Sequence, residues 1–264
     1  NGDLAVVAPY SSRDEFHYLF DQFNEMVRKL SKLVHEVYEQ QFRARSAELK
    51  HLQSQINPHF LYNSFFVLYR MVKSEDYEQV ERFTRYLGEY FQYITRSAND
   101  YLPLEQEVRH AWNYCEIQQI RFAGRIRFEM EPLPPEAARL MVPRLILQPL
   151  IENVYEHGLA RKTADGLLRI TFHRDGGDFI IRVEDNGEHL SAALLERLRT
   201  KLETFSDAAE STGMVNIHRR IRISFGAAYG LSLARSELGG LRADLRLPLH
   251  PYEEVNQHVP DSHR

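Results

Sequence analysis

A histidine that follows a proline, with an asparagine four residues further on, is the strongest chemical signal in this sequence. The segment spans residues 55–63, QINPHFLYN, and contains His59 and Asn63. On a helix these two side chains would share one face. A neutral imidazole nitrogen is nucleophilic near neutral pH, so His59 on the solvent face of a rigid helix could accept a phosphoryl group. Any one of 12 histidines, taken alone, is more often structural than catalytic.

Several other features of the sequence exclude classes of function rather than indicate one. The sequence contains no His-Glu-x-x-His motif and no cysteine cluster, which argues against metal chemistry of that kind. Its single cysteine, Cys115, excludes an internal disulfide and fits a reducing compartment. The net charge of −4 gives no electrostatic reason to expect nucleic-acid binding. The sequence contains no run of 18 apolar residues, about the length that a membrane-spanning helix needs. The sequence Asp185-Asn186-Gly187, read alone, is a turn after a strand.

The element that must position His59 is a long helix with an apolar seam. Apolar residues recur in steps of three and four across residues 16–37 and again across residues 49–60, which is typical of a coiled coil or helical bundle. Pro58 predicts a kink beside His59, because proline removes a backbone donor and crowds the preceding turn. A solitary helix would expose this seam. We therefore expect a parallel homodimer over residues 16–61, the alternative being packing against the chain's own domain.

The rest of the chain divides into a helical hairpin and a mixed domain. Helices are predicted at residues 77–97 and 104–122, and two such hairpins paired across a dimer would form a bundle. Beyond Gly124, strands are predicted at residues 125–131, 167–173, 179–184, 230–236 and 242–247. The helices of this part are predicted at residues 145–157, 192–204 and 215–225. Such a mixture of strands and helices is typical of a layered α+β domain.

These segments together resemble the YesM/LytS-like sensor histidine kinases. Residues 55–63 resemble the family's phosphorylation-site motif, residues 114–122 its second bundle helix, and residues 142–153 (VPRLILQPLIEN) its nucleotide-binding helix. Residues 14–15 and 23–26 resemble the second half of a HAMP signal-relay module. The resemblance extends over most of the chain.

The fold that the resemblance implies is α+β. An N-terminal long helix and a dimeric helical-hairpin bundle would precede an α/β-sandwich ATP-binding domain of the GHKL type. The implied parts are a partial HAMP module with a signalling helix (residues 1–48), a dimerisation and histidine phosphotransfer domain (49–124), the ATP-binding catalytic domain (125–250) and a flexible tail (251–264). This stretch would itself be soluble, at the cytoplasmic face of the bacterial cell membrane, with a sensor and transmembrane region outside it.

The resemblance also implies roles for individual residues. His59 would be the phospho-accepting residue, with Asn63 beside it as a further catalytic residue. Asn153 would hold magnesium, for which an amide oxygen is a suitable hard ligand. His157 would lie near the phosphates of ATP, and Asp185 would accept a hydrogen bond from the adenine amino group.

Two glycines and one carboxylate complete the implied site. Gly187 would let the backbone approach the base because it has no Cβ, and Gly213 would belong to a flexible lid over the phosphates. Glu152 is a candidate base on spacing alone. In the implied reaction, ATP with Mg²⁺ phosphorylates His59, and the phosphate then passes to an aspartate in the receiver domain of a separate response regulator.

Four positions depart from the family's pattern. His189 and Ser211 stand where glycines are usual, Glu156 where lysine is common, and Leu241 where threonine is common. A side chain forced to a positive φ costs roughly 1–2 kcal/mol, so we expect the first two to weaken ATP binding. A degenerate kinase, acting as a dimeric signalling scaffold or a response-regulator phosphatase, is therefore the alternative. An unrelated ATPase or chaperone of the same fold is disfavoured by the intact motif at His59.

Overall fold

The structure, a computed structural model, describes residues 58–95, 100–203 and 213–249, together with ten scattered positions between residues 22 and 36. Those ten positions are helical, as the sequence predicts for that stretch. The HAMP-like positions 14–15 and 24, the apolar seam at residues 16–21 and 37–57, Ser211 and the tail after residue 249 lie outside the described residues. The chain divides into two compact units, Asn1–Leu61 and Tyr62–Arg264.

Three helices come first among the continuous elements. They are α1 (Pro58–Lys73), α2 (Tyr77–Thr95) and α3 (Leu104–Arg121), with the short strand β1 (Tyr101–Pro103) before α3. The sequence predicts α2 and α3 to within two residues. Helix α3 ends where Ala123 and Gly124 adopt φ values of 49° and 75°, because left-handed residues stop a helix. None of the described helices has the length and apolar character that crossing a membrane requires.

A five-stranded sheet forms the core of the second unit. Its strands are β2 (Ile126–Met130), β4 (Gly166–Asp175), β5 (Asp178–Asp185), β6 (Gly230–Arg235) and β7 (Leu241–Pro248). The spatial order is β2-β4-β5-β7-β6, with β2 parallel to β4 and the other neighbours antiparallel. The predicted hairpin between β4 and β5 is present, and Gly176 supplies its positive φ of 61°.

Helices cover one face of this sheet. They are α4 (Gln148–Asn153), α5 (Ala192–Glu203) and α6 (Gly213–Phe225), and α4 continues into a π-helical turn, Val154–Gly158. The sequence predicts one helix over residues 145–157, whereas the structure has a six-residue α-helix and then the wider turn. Strand β3 (Met141–Pro143) pairs with β1 in a separate two-stranded sheet that the sequence does not predict. This arrangement confirms the expected α/β sandwich.

The other face of the sheet carries ion pairs between neighbouring strands. Arg182 on β5 and Asp244 on β7 are cross-strand partners joined by two hydrogen bonds of 2.8 and 3.2 Å. Arg246 on β7 also bonds Asp178 on β5 and Asp175 at the end of β4, each at 2.7 Å. The alternation of buried and half-buried residues along β7 follows from this division into an apolar face and an ionic face.

Helix α3 belongs to both parts of the second unit. It packs against α2, and it also contacts β2 and α4 of the layered domain. Polar as well as apolar residues on it are buried, among them Glu107, His110 and Asn113. The predicted domain boundary near Gly124 therefore follows a helix that the hairpin and the layered domain share.

Candidate functional site

A buried carboxylate at the end of β5 is the centre of the candidate nucleotide site. Asp185 is 1% exposed, and its Oδ1 accepts a hydrogen bond from the backbone N–H of Gly187 at 2.7 Å. Its Oδ2 accepts a weaker one, 3.3 Å, from the N–H of Leu241 at the start of β7. Burial raises the pKa of the Asp185 carboxyl, and these two hydrogen bonds oppose the rise.

Three glycines pack closely around this carboxylate, and an added Cβ at any of them would clash with atoms already there. A Cβ on Gly158 would lie 2.9 Å from Asp185 Cγ, and one on Gly187 would lie 2.5 Å from the Gly158 carbonyl oxygen. A Cβ on Gly240 would overlap Asp185 Oδ1 and lie 2.6 Å from the Gly187 nitrogen. The sequence singled out Gly187 only. Gly158 and Gly240 were missed, although each directly adjoins a residue that the resemblance had marked, His157 and Leu241.

The π-helical turn brings the predicted magnesium ligand to the same place. Asn153 is the last residue of α4 and half-buried, and the turn that follows it ends at Gly158, against Asp185. Rare π-helical turns occur frequently at functional sites. In the described part of the chain the Asn153 amide makes no hydrogen bond, so its carbonyl oxygen is available to a hard cation. His157 lies exposed on the same turn.

Gly213 lies at the first position of α6, next to α4. A Cβ on Gly213 would meet the Pro149 side chain at 3.1 Å, so the start of α6 lies close to α4, the helix that ends at the predicted magnesium ligand Asn153. The segment immediately before it, where the resemblance implies a lid, lies outside the described residues. The structure therefore brings Asn153, His157, Asp185 and Gly187 to one turn, whereas Gly213 lies against Pro149 at the start of α4.

Three of the four positions that depart from the family's pattern lie among the described residues. His189 is exposed and does not have a positive φ, so the strain expected at that position is absent and that expectation was wrong. Leu241 contributes a backbone N–H to Asp185, which any residue except proline could supply. Glu156 is exposed on the π-helical turn, where solvent screens its charge. One reason for the degenerate-kinase alternative is thereby removed.

A second buried carboxylate anchors the start of α4. Glu107 on α3 is fully buried and accepts hydrogen bonds from the backbone N–H groups of Leu145, Ile146 and Leu147 at 2.6, 3.0 and 3.2 Å. Leu145 has a φ of 56°, a conformation that a leucine rarely adopts. The charged acceptor stabilises this loop, because it satisfies three amide groups that precede a helix.

The predicted base, Glu152, is held by a chain of buried polar side chains. The Gln148 amide donates to Glu152 Oε1 at 2.7 Å and to the Tyr90 hydroxyl at 3.0 Å. The Gln148 oxygen lies 2.6 Å from His110 Nε2. Burial raises the pKa of the Glu152 carboxyl, and the hydrogen bond from Gln148 opposes that rise. Sequence reasoning missed His110 because a polar residue in a helix is usually solvated.

The predicted phospho-accepting histidine lies on α1. His59 is exposed, and Asn63, four residues later on the same helix, is half-buried. His59 lies in the first compact unit, and the other seven predicted site residues lie in the second. Large apolar side chains of α1 are also exposed: Tyr62, Phe65, Phe66, Tyr69 and Val72.

Comparisons with known proteins agree with these features. The family model for "Histidine kinase" matches residues 47–126, and that for "Histidine kinase-, DNA gyrase B-, and HSP90-like ATPase" matches residues 140–254. The chain is 30% identical over 245 residues to "Sensor histidine kinase YesM" of Bacillus subtilis, covering 93% of this chain and 41% of YesM. It is 29% identical over 202 residues to "Sensor histidine kinase BtsS" of Escherichia coli, covering 76% of this chain and 33% of BtsS.

The chain thus spans less than half the length of these relatives. Among solved structures, the ATP-binding domain of PrrB from Mycobacterium tuberculosis matches 57% of this chain and 98% of its own, with 19% identity and a TM-score of 0.38. The two family models cover the segment around His59 and the segment around Asp185, and the relatives align across both. The chain therefore belongs to the sensor histidine kinase family.

Proposed function

We propose that this chain is the kinase core of a two-component sensor, which uses ATP to phosphorylate His59 and passes the phosphate to an aspartate of a response regulator. The observation that carries the proposal is the buried Asp185 carboxylate enclosed by Gly158, Gly187 and Gly240. An acceptor held by two backbone donors in a space without side chains suits the exocyclic amino group of a flat base. Asn153, the last residue of α4 before the adjoining turn, adds a ligand for the phosphate-bound cation.

Different residues of the proposed nucleotide site bind the adenine, the magnesium ion and the phosphates. Asp185 accepts from the adenine amino group, and Gly187 keeps the backbone clear of the base. Asn153 holds Mg²⁺ through its amide oxygen, with His157 beside the phosphates on the exposed side of the turn and Gly213 at the lid. Magnesium, when bound, supplies neutralisation of the phosphate charge.

The transfer step needs one nucleophile and one proton acceptor. A neutral ring nitrogen of His59 attacks the γ-phosphorus, the bond from that phosphorus to the β–γ bridging oxygen breaks, and ADP leaves. The proton on the other ring nitrogen passes to a base, for which we propose Glu152. Asn63, one helical turn after His59, orients the imidazole. The second step returns the imidazole to its starting state when the phosphoryl group moves to the regulator's aspartate.

The assembly that we propose is a parallel homodimer with a membrane region outside this chain. Phe23, Met26, Leu30 and Leu33 are between 48% and 59% exposed on helical positions, although each is strongly apolar. Burying one such side chain contributes roughly 1.5–3 kcal/mol, so a partner copy would stabilise the seam. Analytical ultracentrifugation of the Leu30→Asp and Leu33→Asp double variant should show a weakened dimer, with Lys32→Asp as the control on the same helix.

The division into a partial HAMP module (1–48), a phosphotransfer domain (49–124), a catalytic domain (125–250) and a tail (251–264) is part of this proposal. The family models support the boundaries near residues 48 and 124, because they match residues 47–126 and 140–254. Helix α3 contacts both the hairpin and the catalytic domain. We therefore expect a fragment that begins after Gly124 to lose buried partners of α4, among them Glu107.

Labelling with γ-³²P-ATP and magnesium tests the function. We expect the wild-type chain and a His173→Ala control, which alters an exposed histidine on β4, to gain an acid-labile phosphate. His59→Ala should gain none because it lacks the acceptor, and Asp185→Asn should be labelled far more slowly because an amide presents a donor to the adenine amino group. Full labelling of His59→Ala would overturn the assignment.

A further inference from the structure

We propose that His110 is a positioning residue for phosphoryl transfer, which acts through Gln148 to hold the carboxylate of Glu152 beside Asn153. The inference rests on the proposed kinase function and adds to it a residue outside the nucleotide site. His110 lies on α3, whereas Gln148 and Glu152 lie one turn apart on α4. The three side chains form one hydrogen-bonded series with distances of 2.6 and 2.7 Å.

The direction of each hydrogen bond in this series follows from the carboxylate. An ionised carboxylate only accepts, so the Gln148 amide must turn its nitrogen toward Glu152. Its oxygen then faces His110, and that oxygen also only accepts. His110 Nε2 must therefore carry the hydrogen, which defines the tautomer of the ring. Both amide hydrogens of Gln148 are used, since the second one bonds the Tyr90 hydroxyl.

Two tyrosines on α2 hold the imidazole in the plane that this bond requires. The His110 ring stacks on Tyr93, with centroids 4.0 Å apart, and on Tyr90, with centroids 5.1 Å apart. The interplanar angles are 16° and 18°, and His110 is only 2% exposed. Tyr93 is held in turn, because its hydroxyl donates to Glu107 and the Arg144 guanidinium lies over its ring at 5.1 Å. The orientation of the His110 ring, and with it of its donor, is thus fixed by two stacked neighbours.

The second ring nitrogen of His110, Nδ1, distinguishes a positioning role from simple packing. His110 Nδ1 is buried and has no hydrogen-bond partner among the described residues. A histidine selected for packing alone would be replaced without loss by phenylalanine, which keeps the stacked ring and removes the unpaired nitrogen. A donor to Gln148 is the one feature that phenylalanine lacks. Glutamine can place an amide N–H near the position of Nε2, so it should restore that donor.

Loss of the donor should affect the chemical step more than ATP binding. Without a hydrogen from His110, the Gln148 amide is free to turn over and present its oxygen to Glu152, which would repel the carboxylate from its position. One charge-assisted hydrogen bond of this kind corresponds to about a tenfold change in rate or more. In the described part of the chain no hydrogen bond joins His110 to Asp185 or to its three glycines, so the affinity for nucleotide should stay within about twofold.

The test compares His110→Phe and His110→Gln with the wild-type chain. The turnover number and the KM for ATP–magnesium are measured by γ-³²P labelling, the nucleotide affinity by calorimetric titration, and the melting temperature by circular dichroism. We expect His110→Phe to lose about tenfold or more in turnover with unchanged affinity, and His110→Gln to recover most of that loss. In a Glu152→Ala background, His110→Phe should cause no further loss, because its effect passes through Glu152.

Three outcomes would overturn the positioning role. They are full turnover in His110→Phe, equal losses in both variants accompanied by a lower melting temperature, and an additive loss in the Glu152→Ala background. Failure of the kinase function itself looks different, because the wild-type chain would then show no label that depends on His59. Labelled wild type with an unaffected His110→Phe therefore rejects this inference and leaves the proposed function in place.

Discussion

The Glu107 carboxylate accepts a hydrogen bond from the backbone N–H of Ile146 at 3.0 Å, although 39 residues of sequence separate them. The same carboxylate bonds the two neighbouring amides, and the Tyr93 hydroxyl donates to it as well. A helix begins at this point, so unpaired N–H groups and the positive end of the helix dipole both favour the negative charge. Helix α3 therefore stabilises the start of α4, which its own sequence does not cap.

Replacement of Glu107 by glutamine should destabilise the chain by about 2–4 kcal/mol, because charge-assisted hydrogen bonds contribute about 1.5–3 kcal/mol and a buried amide that is left unpaired adds a cost. Urea unfolding measures the difference in the free energy of unfolding. Glu105→Gln is the control on the same helix, since Glu105 is exposed and should change stability by less than about 0.5 kcal/mol. Equal stabilities of the two variants would contradict this account of α4.

A methyl group at Gly240 should abolish ATP binding. The added Cβ would overlap Asp185 Oδ1, and the nearby backbone cannot move without breaking the bond from the Gly240 N–H to the Asp185 carbonyl oxygen. Gly88→Ala is the matched control, because Gly88 lies in α2 with open space around it. It should bind ATP normally and gain roughly 0.5–1 kcal/mol of stability from helix propensity.

Calorimetric titration of ATP–magnesium distinguishes these two variants, with thermal unfolding as the check on folding. Undiminished affinity in Gly240→Ala would mean that Asp185 is not the adenine acceptor. A folded Gly240→Ala variant that does not bind ATP would support the role of the three glycines around Asp185 directly.

Periodicity predicted most of the helices and strands, because each buries one face and repeats every two or 3.6 residues. It did not predict β1 and β3, which have three residues each and too few positions to show a repeat. The π-helical turn was read as a continuation of α4, because one wider turn leaves the apolar pattern almost unchanged. The boundary residues of the elements agree to within a few positions.

Residues of the candidate site were predicted where they lie in a short sequence motif and missed where the fold brings distant segments together. Asn153, Asp185 and Gly187 were predicted because each lies in a short motif whose members are close in sequence. Gly158 and Gly240 were missed because their role depends on the approach of segments that the fold brings to one carboxylate. His110 was missed for the same reason, since its partner Gln148 is 38 residues away.

His189→Gly should leave the affinity for ATP unchanged within about twofold, because a residue with an ordinary φ gains nothing from glycine. The sequence predicts that His189 and Ser211 both weaken ATP binding, so that glycine at either position would tighten it. Ser211→Gly remains a prediction of tighter binding, and the two variants can be titrated side by side. A tenfold gain from His189→Gly alone would show that this position adopts a different backbone conformation when ATP is bound.

The surroundings of His110 also predict how stability depends on pH. Burial lowers the pKa of the His110 imidazole, the Glu107 charge and the Gln148 hydrogen bond act in the opposite direction, and the Arg144 charge lowers it further. The rings of Tyr90 and Tyr93 on α2 complete its surroundings and stay uncharged, since burial raises the pKa of both hydroxyls. The lowered value means that the folded chain binds this proton less readily than the unfolded chain.

Because the folded pKa of His110 lies below the unfolded value of about 6.5, the unfolded state takes up the proton first as the pH falls. The stability that neutral His110 contributes is therefore present above about pH 6.5 and is lost below it, by at most about 1.4 kcal/mol per pH unit for one proton. Urea unfolding at pH 7.5 and at pH 5.5 should show a larger fall in the free energy of unfolding for the wild-type chain than for His110→Gln, which cannot titrate at this position. An identical fall in both proteins would mean that His110 takes up its proton equally well in the folded and unfolded states, against the burial and stacking described for it.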